Sequence, residues 1–489
     1  MKIRLSGLIC FLLAICMLAS LAACASDGTE SGTQAASSPE TEATTPDATE
    51  AATEADTGFY RNVDKTLNFG GEEFSVLSYD ANTWNVYITA EENTGVTLND
   101  AAYTRNCEVE DLLGIKIVTK LFPQTQLVSK IQAANADGGS GGEAYDLVCF
   151  WATTNLANLI TTNAVEDWTK LDCVNLSEPW YNQSANRAFK IAGKQYVAVS
   201  DFTYTVQQHF RFLCNLEMLN DLRLEKPYAL VDSGDWTLEA LMRYIKDVYA
   251  NLDADPAKTA GDRYGLAITY NGTSRFINNW DASPARTTDE GFAVELNGDR
   301  IQSMVEAMNA IHQSPDTWTV SGVDYTVFNE GRALFEVYSS DPDILREIAF
   351  DYAYLPYPKF NKDQQNYITV THGGTMAIPA CCTDLSRAGA VIEALSAASS
   401  KYLKDAFIES YFNSRVLRDA DSVRMYKLMR DTAYFDVSRY IDPSGKLSGL
   451  SYYTDLLKKN DSNLPRQYQN SGKAIERGYK DFWDGLKGN

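Results

Sequence analysis

Residues 109–121 read VEDLLGIKIVTKL and mark the turn from a helix into a buried strand. The apolar spacing before Gly114 is typical of a helix, and glycine is the usual residue just past a helix end. The run IKIVTKL that follows predicts a strand over 115–121. We therefore place a helix before Gly114 and a strand after it, and use this boundary to assign the neighbouring segments.

The neighbouring segments repeat the same alternation. FSVLS (74–78) predicts a strand before the helix, and TQLVSKIQAANADGG predicts a second helix after the second strand. YDLVCFW (145–151) then predicts a third strand. The order β-α-β-α-β indicates an α/β lobe with a largely parallel sheet. Because ligands bind beyond the carboxyl ends of such strands, we expect a site near Tyr79–Trp84 and Trp151–Asn155.

The composition of the chain excludes several classes of function. The chain has 489 residues, 45% of them hydrophobic, which favours two lobes or domains. The net charge of −22 argues against nucleic acid or an anionic membrane surface as partner. Only three histidines occur, none close to another in sequence, and no Walker loop, GxSxG elbow or HExxH is present. We therefore expect no metal, no cofactor and no catalytic residue.

The amino-terminal segment has the pattern of an export signal. Lys2 and Arg4 precede an apolar run that stops at small residues, and Cys24 follows Leu21-Ala22-Ala23. The stretch LAAC resembles the lipobox of bacterial lipoproteins, in which the cysteine becomes lipidated and amino-terminal. An ordinary signal peptide or an uncleaved anchor is the alternative. We expect a signal peptide over 1–23, lipidation at Cys24, and a location at the outer face of the cell membrane.

Residues 24–60 predict a disordered acidic linker. They carry eight acidic side chains and no basic one, and they lack apolar periodicity. The six cysteines beyond the leader mostly sit in apolar runs and read as small buried hydrophobes. The adjacent Cys381 and Cys382 allow a strained disulfide or a metal contact, but free thiols are favoured.

Later segments continue the mixed pattern. HFRFLCN, YGLAIT, ALFEVYS (333–339), FDYAYLPYPKF (350–360) and YITVTHGGTMAIP (367–379) contain predicted strands, and helices follow to the end of the chain. TLEALMRYIKDVY predicts a long amphipathic helix whose cap is Asp235 or Thr237. RDADS (418–422) predicts a helix cap with charge pairs.

Several of these stretches together resemble one family, the extracellular solute-binding proteins of carbohydrate type that serve ABC importers (family 1). The most specific are PYALVDSGDWT (227–237), LPYPKFNKDQQNY (355–367) and RDADS, with VEDLLGIKI and YDLVCF earlier in the chain. The resemblance spans most of residues 65–435. It implies a two-lobed periplasmic-binding-protein-like class II α/β fold, with discontinuous lobes, a hinge, a ligand cleft and no chemistry on the ligand.

The resemblance also implies where the chain crosses between lobes. The first lobe would hold 61–205 plus 326–368, and the second, helix-rich lobe would hold 206–325 plus 369–489. Gly373 and Gly374 suit a hinge, and a simple strand bulge is the alternative.

A sugar cleft combines aromatic platforms with polar side chains that hold hydroxyl groups. We place candidates after predicted strands and near the two crossovers. The expected ligand-binding residues are Asp80, Asn82, Trp84, Trp151, Asn155, Asp201, Tyr204, Phe276, Asn279, Trp280, Tyr338 and His372. Trp168 and Trp236 are expected to pack in the core, and Trp483 fits either role.

The sequence thus predicts a monomeric, lipid-anchored receptor that is not an enzyme. It would capture a carbohydrate, favoured as an oligosaccharide, by hinge closure and deliver it to the transmembrane subunits of an ABC permease. Three alternatives stay open: a peptide or another small solute as ligand, a surface glycoside hydrolase with two cleft carboxylates, and a sensor or adhesin without a permease.

Overall fold

The computed structural model describes residues 58–487, except 81–87, 89, 139–143, 152–155, 204–209, 321, 323, 339–341, 372–373, 414–415 and 448–449. The strands of this part of the chain are, in order, β1 (Glu72–Tyr79), β2 (Ile115–Phe122), β3 (Leu147–Phe150), β4 (Lys190–Ile191), β5 (Lys194–Gln195), β6 (Arg211–Asn215), β7 (Tyr264–Thr269), β8 (Ala285–Thr288), β9 (Gly291–Val294), β10 (Thr317–Val320), β11 (Ala333–Tyr338), β12 (Tyr352–Leu355), β13 (Thr369–Thr371), β14 (Thr375–Ala377) and β15 (Ala433–Phe435).

The α-helices are α1 (Thr97–Leu113), α2 (Leu127–Ala136), α3 (Leu156–Thr161), α4 (Gln183–Phe189), α5 (Leu216–Asp221), α6 (Tyr228–Ser233), α7 (Leu238–Ile245), α8 (Tyr270–Ser274), α9 (Phe276–Asn279), α10 (Asp299–Gln313), α11 (Thr326–Asn329), α12 (Leu385–Asn413), α13 (Ala420–Asp431), α14 (Val437–Tyr440), α15 (Ser451–Lys458), α16 (Leu464–Gln467) and α17 (Lys473–Lys487). Short 3₁₀ turns lie at Gln124–Gln126, Trp168–Lys170, Asp201–Thr203 and Pro342–Glu347, and a π turn at Tyr468–Gly472 precedes α17. None of the described helices is long and apolar enough to cross a membrane.

The first sheet has the strand order β14-β3-β1-β2. β1 pairs in parallel with β2 and β3, whereas β14 pairs antiparallel with β3. α1 ends at Gly114, which takes a left-handed φ of 60° and donates its N–H to the carbonyl of Glu110. A side chain there would also meet Asn68, whose Oδ1 lies 2.4 Å from an ideal Cβ. The predicted β-α-β-α-β order and its glycine cap are confirmed.

The second sheet has the order β10-β7-β11-β6-β12. β7 runs parallel to both β10 and β11, while β6 runs antiparallel to both β11 and β12. Four of the five strands therefore point the same way, and β6 begins at the edge where the other four end. On one face of this sheet, Phe335 and Val337 of the central strand β11 are buried in the hydrophobic core.

Strand pairing shows which sheet each segment joins, and the expected lobe boundaries stay a prediction. We expected 326–368 to join the first lobe, but β11 and β12 pair within the second sheet. We expected 369–489 to join the second lobe, but β14 pairs with β3 of the first sheet. β11 lies between β6 and β7, and the backbone groups on both of its edges obtain hydrogen-bond partners there.

The long helix α12 packs on α1, whereas α13 packs on β12 of the second sheet. The RDADS prediction is confirmed, since Asp419 caps α13 by accepting the N–H of Ser422, and Arg418 donates to the carbonyls of Ile348 and Phe350. The cap of α7 is Thr237, and that helix ends at Ile245, sooner than its amphipathic pattern suggests. Trp168 and Trp236 are buried as expected, and Trp483 is buried too.

The start of the described chain is held by a polar cluster. Arg61 forms an ion pair with Glu178, and its guanidinium lies 4.9 Å from the ring centre of Trp180. The Asn62 amide donates to Glu178 at 2.9 Å and to Glu393 at 2.7 Å. The residues that follow the predicted linker are thereby attached to α12 and to the segment before α4.

Candidate functional site

The carboxyl edge of the first sheet is built from the ends of β1 and β3. Thr375, the first residue of β14, lies opposite Phe150, the last residue of β3, and its hydroxyl donates to the Phe150 carbonyl at 2.9 Å. A narrow cavity at this edge is lined by Tyr79, Phe150, Thr203 and Gly374, among others. The ligand site expected at the first sheet therefore lies next to the carboxyl ends of β1 and β3.

The carboxyl edge of the second sheet carries buried charge. Arg211 begins β6 opposite Tyr338, the last residue of β11, and is fully buried with its guanidinium 5.5 Å from the Tyr354 ring centre. Arg275 follows α8, directly after β7, and its guanidinium lies 5.0 Å from the ring centre of Phe210. Burial lowers the pKa of Arg275 well below its usual range.

The two edges are joined by the chain itself. One connection runs from Thr203 at the first edge to Phe210 at the second, and another runs from Thr371 of β13 to Gly374 at the first edge. Phe210 and β13 are neighbours, because the Phe210 N–H points to the Val370 carbonyl at 3.4 Å. Phe210, just before β6 at the carboxyl edge of the second sheet, therefore lies beside β13.

Several predicted site residues lie outside the described residues. These are Asn82, Trp84, Asn155, Tyr204, His372 and the lipidation residue Cys24, together with Gly373 of the expected hinge. Of Tyr338, only the backbone position at the end of β11 is described. Their roles stay predictions.

Asp80 and Trp151 lie where the sequence predicts. Asp80 follows β1 directly, its side chain is exposed, and its N–H donates to the Phe122 carbonyl at 2.8 Å. Trp151 follows β3 directly and is half-buried, packed against the core. A half-buried ring at a sheet edge has surface left for a sugar ring, and an exposed carboxylate beside it can accept from hydroxyl groups.

Phe276, Asn279 and Trp280 are placed differently from the expectation. Each is at most 2% exposed, and Trp280 donates its indole N–H to the Pro358 carbonyl at 3.2 Å. The Asn279 amide donates to the Arg275 carbonyl, and its oxygen accepts the Val370 N–H. All three side chains are thus packed within the protein in this structure, and their role in ligand binding stays a prediction.

Asp201 is also engaged by the protein. Its carboxylate forms an ion pair with Lys404 of α12 at 2.8 Å, and its N–H donates to the Trp180 carbonyl. Burial raises the pKa of Asp201, against the opposing effect of Lys404. The side chain lines a cavity between α4 and β15 rather than the edge formed by β1 and β3.

The sequence gives no sign of three further buried ionisable residues near the second edge. Arg211 lies within an apolar run, Arg275 lies in a helical turn, and Glu336 lies in the middle of β11. Glu336 is fully buried, and neither carboxyl oxygen has a hydrogen-bond partner in the described part of the chain. Burial raises the pKa of Glu336 well above its usual range, which favours the neutral carboxyl over the carboxylate.

The cysteines and acidic residues offer no metal centre in the described residues. No group of three or more His, Cys, Asp or Glu side chains there is arranged to hold an ion. Cys381 and Cys382 are free, and the sulfur of Cys382 lies 3.9 Å from Asp146 Oδ1.

Solved structures of other proteins share this architecture. A cyclo/maltodextrin-binding protein complexed with maltotetraose superposes with a TM-score of 0.55 at 14% identity, covering 85% of this chain and 96% of its own. The GacH receptor of Streptomyces glaucescens, solved with acarbose, gives 0.54 at 13% identity, covering 84% and 99%. UgpB from Mycobacterium tuberculosis, in complex with glycerophosphocholine, gives 0.52 at 14% identity, covering 84% and 99%.

No protein-family model matches the chain, and no curated protein matches it by sequence. At these identities the likeness concerns the fold. The chain has the two-lobed α/β fold of periplasmic-binding-protein-like solute-binding proteins, which confirms the fold expected from the sequence.

Proposed function

We propose that this protein is an extracytoplasmic solute-binding protein that captures a carbohydrate by hinge closure and delivers it to an ABC permease. The observation that carries the proposal is the architecture: two mixed sheets in a fold shared with proteins solved with maltotetraose and acarbose. Trp151 and Asp80 at the first edge supply a ring and a carboxylate for a sugar.

The strand pairings support revised lobe boundaries. We infer a first lobe of 58–203 with 374–413, which contains the first sheet and α12, and a second lobe of 210–371 with 416–487. Closure would then bring Trp151 and Asp80 towards the edge that carries Arg211, so that affinity depends on both lobes.

Calorimetric titration of the purified protein against a panel of oligosaccharides tests the proposal. Trp151→Ala should weaken binding of the selected sugar at least about tenfold, because it removes the ring beside the site. Trp318→Ala is the matched control: that tryptophan is also half-buried, but it packs on Tyr264, at the amino end of β7. The control should bind with wild-type affinity.

The same panel separates the alternatives. Equal affinities of Trp151→Ala and wild type would refute the site assignment. Release of smaller sugars during incubation, abolished by one carboxylate substitution, would indicate a glycoside hydrolase instead. Selective binding of glycerophosphodiesters would favour another solute, since the UgpB structure of the same fold was solved with glycerophosphocholine.

Anchoring is tested apart from binding. Lipidation of Cys24 would keep the mature protein in the membrane fraction, and Cys24→Ala should release it or leave it unprocessed. Mass spectrometry of the amino-terminal peptide checks this directly; a mature protein that begins elsewhere would refute the lipobox assignment.

A further inference from the structure

A second cavity lies apart from the proposed sugar site. Its volume is about 630 Å³, and it opens at the amino ends of β13 and β15, next to Ile368 and Thr432. The proposed sugar site lies beyond the opposite, carboxyl end of β13. Its lining includes residues of α4, α12, β8 and β15, together with Ile368 just before β13.

Two arginines meet in this cavity. Arg187 lies in the last turn of α4, and Arg286 lies in β8. The adjacent residues are in direct contact, since the Thr287 hydroxyl donates to the Ala188 carbonyl at 2.5 Å. Both arginines line the 630 Å³ cavity and also a smaller one of about 170 Å³ beside it. Both arginines therefore lie where the two cavities meet.

The charge at this junction is not balanced. Arg286 has one carboxylate within reach, Asp281, at 3.4 Å, and Arg187 has no hydrogen-bond or ion-pair partner among the described residues. The other basic side chains of the wall are paired: Lys404 with Asp201 at 2.8 Å, and Arg430 with its neighbour Asp431 at 3.0 Å. On a chain of net charge −22, two arginines of which only Arg286 pairs with a carboxylate form a local positive centre.

The hydroxyl group of Ser184 is a third hydrogen-bond donor at this junction. The Ser184 hydroxyl lines both cavities and accepts the N–H of Phe435 at 3.2 Å, which leaves its own O–H free to donate into the space. Planar guanidinium forks match the oxygens of phosphate and carboxylate, and charge-assisted hydrogen bonds to them are the strong ones.

We propose that Arg187 and Arg286, with Ser184, bind the phosphate or carboxylate group of a small ligand at this junction. The site is distinct from the sugar site, and it does not depend on the proposed transport function.

Isothermal titration of the full mature chain with inorganic phosphate tests the proposal, with ionic strength held constant by KCl because exposed charges are screened. Wild-type protein should bind one phosphate saturably with a dissociation constant in the millimolar range. Arg187→Gln and Arg286→Gln should each weaken binding at least about tenfold, the effect of losing one charge-assisted hydrogen bond. Both side chains are exposed enough that the variants keep the fold, which circular dichroism verifies.

Arg243→Gln is the matched control, because Arg243 is an exposed arginine on α7 that pairs with Glu239 away from the cavity. It should bind phosphate like the wild type. A titration with malate in place of phosphate distinguishes the two anion classes: binding that requires the same arginines extends the site to carboxylates, and phosphate binding alone assigns it to phosphate. Absence of saturable binding of either anion, or equal affinities in all variants, would overturn the proposal.

Discussion

Replacing Trp280 by alanine should destabilise the protein rather than alter a binding surface. The ring is 1% exposed and packs on Phe276 and Phe360, with ring centres 4.6 and 4.9 Å away. Its indole N–H donates to the Pro358 carbonyl at 3.2 Å. Truncation of a buried tryptophan costs about 3–5 kcal/mol, and we expect Trp280→Ala to lower the free energy of unfolding by that amount.

Trp280→Phe isolates the hydrogen bond from the packing. Phenylalanine keeps an aromatic ring between the two neighbours but leaves the Pro358 carbonyl without its donor, which costs about 1–2 kcal/mol. Urea unfolding followed by far-ultraviolet circular dichroism measures both variants, since the substitution itself removes a tryptophan fluorophore. Each titration is read against wild type and against Trp151→Ala, whose half-buried ring should cost less than half as much.

Two results would refute this reasoning. A Trp280→Ala protein within about 1 kcal/mol of wild type would show that the ring does not carry the packing seen here. Loss of sugar affinity in Trp280→Phe at nearly unchanged stability would show that the indole contacts the ligand, which is the role that the sequence suggested.

Asp436 accepts hydrogen bonds from Asn278 at 2.9 Å, from the Ser283 hydroxyl at 3.0 Å and from the Ser438 N–H at 3.0 Å, all buried. Asp436→Ala should therefore cost about 3–5 kcal/mol in urea unfolding and Asp436→Asn, which keeps one acceptor, about 1–2; equal costs would contradict this account. His312 has a pKa lowered to about 4 by burial, so the folded state favours the neutral ring and the unfolded state takes up the proton first. The stability from this residue is complete above about pH 6.5 and falls, by roughly 3 kcal/mol, as the pH drops towards 4; His312→Phe should flatten the stability curve in that window, and an unchanged slope would refute it.

Local sequence patterns determine the elements well and their pairing poorly. The end of α1 at Gly114, the strand at 115–122 and the cap at Asp419 depend on residues a few positions apart, and each was predictable. β11 pairs with β6 and β7, which lie more than sixty residues earlier in the chain. The residues ALFEVY alone do not predict which sheet this strand joins. The sheet to which this segment belongs could therefore not be derived from its own residues.

The same limit applies to the site. Trp151 and Trp280 each follow a regular element and stand beside polar residues, so the sequence treats them alike. Tertiary packing separates them: two aromatic neighbours and a carbonyl enclose Trp280, while Trp151 is half-buried. Burial of a particular aromatic residue is decided by distant segments, here Phe360, which lies eighty residues further along the chain.

Strand direction explains why the crossovers matter for binding. β6 and β14 each run antiparallel to a neighbouring strand, so each begins at the edge where its neighbour ends. The chain that enters β6 or β14 must therefore arrive at a carboxyl edge, and Phe210 and Gly374 lie at those points of arrival. The described residues Phe210 and Gly374 therefore lie at carboxyl edges, where a ligand is expected in α/β sheets. Substitutions that change affinity should consequently cluster beside these two connections, whereas substitutions around Trp280 and Asp436 should act through stability.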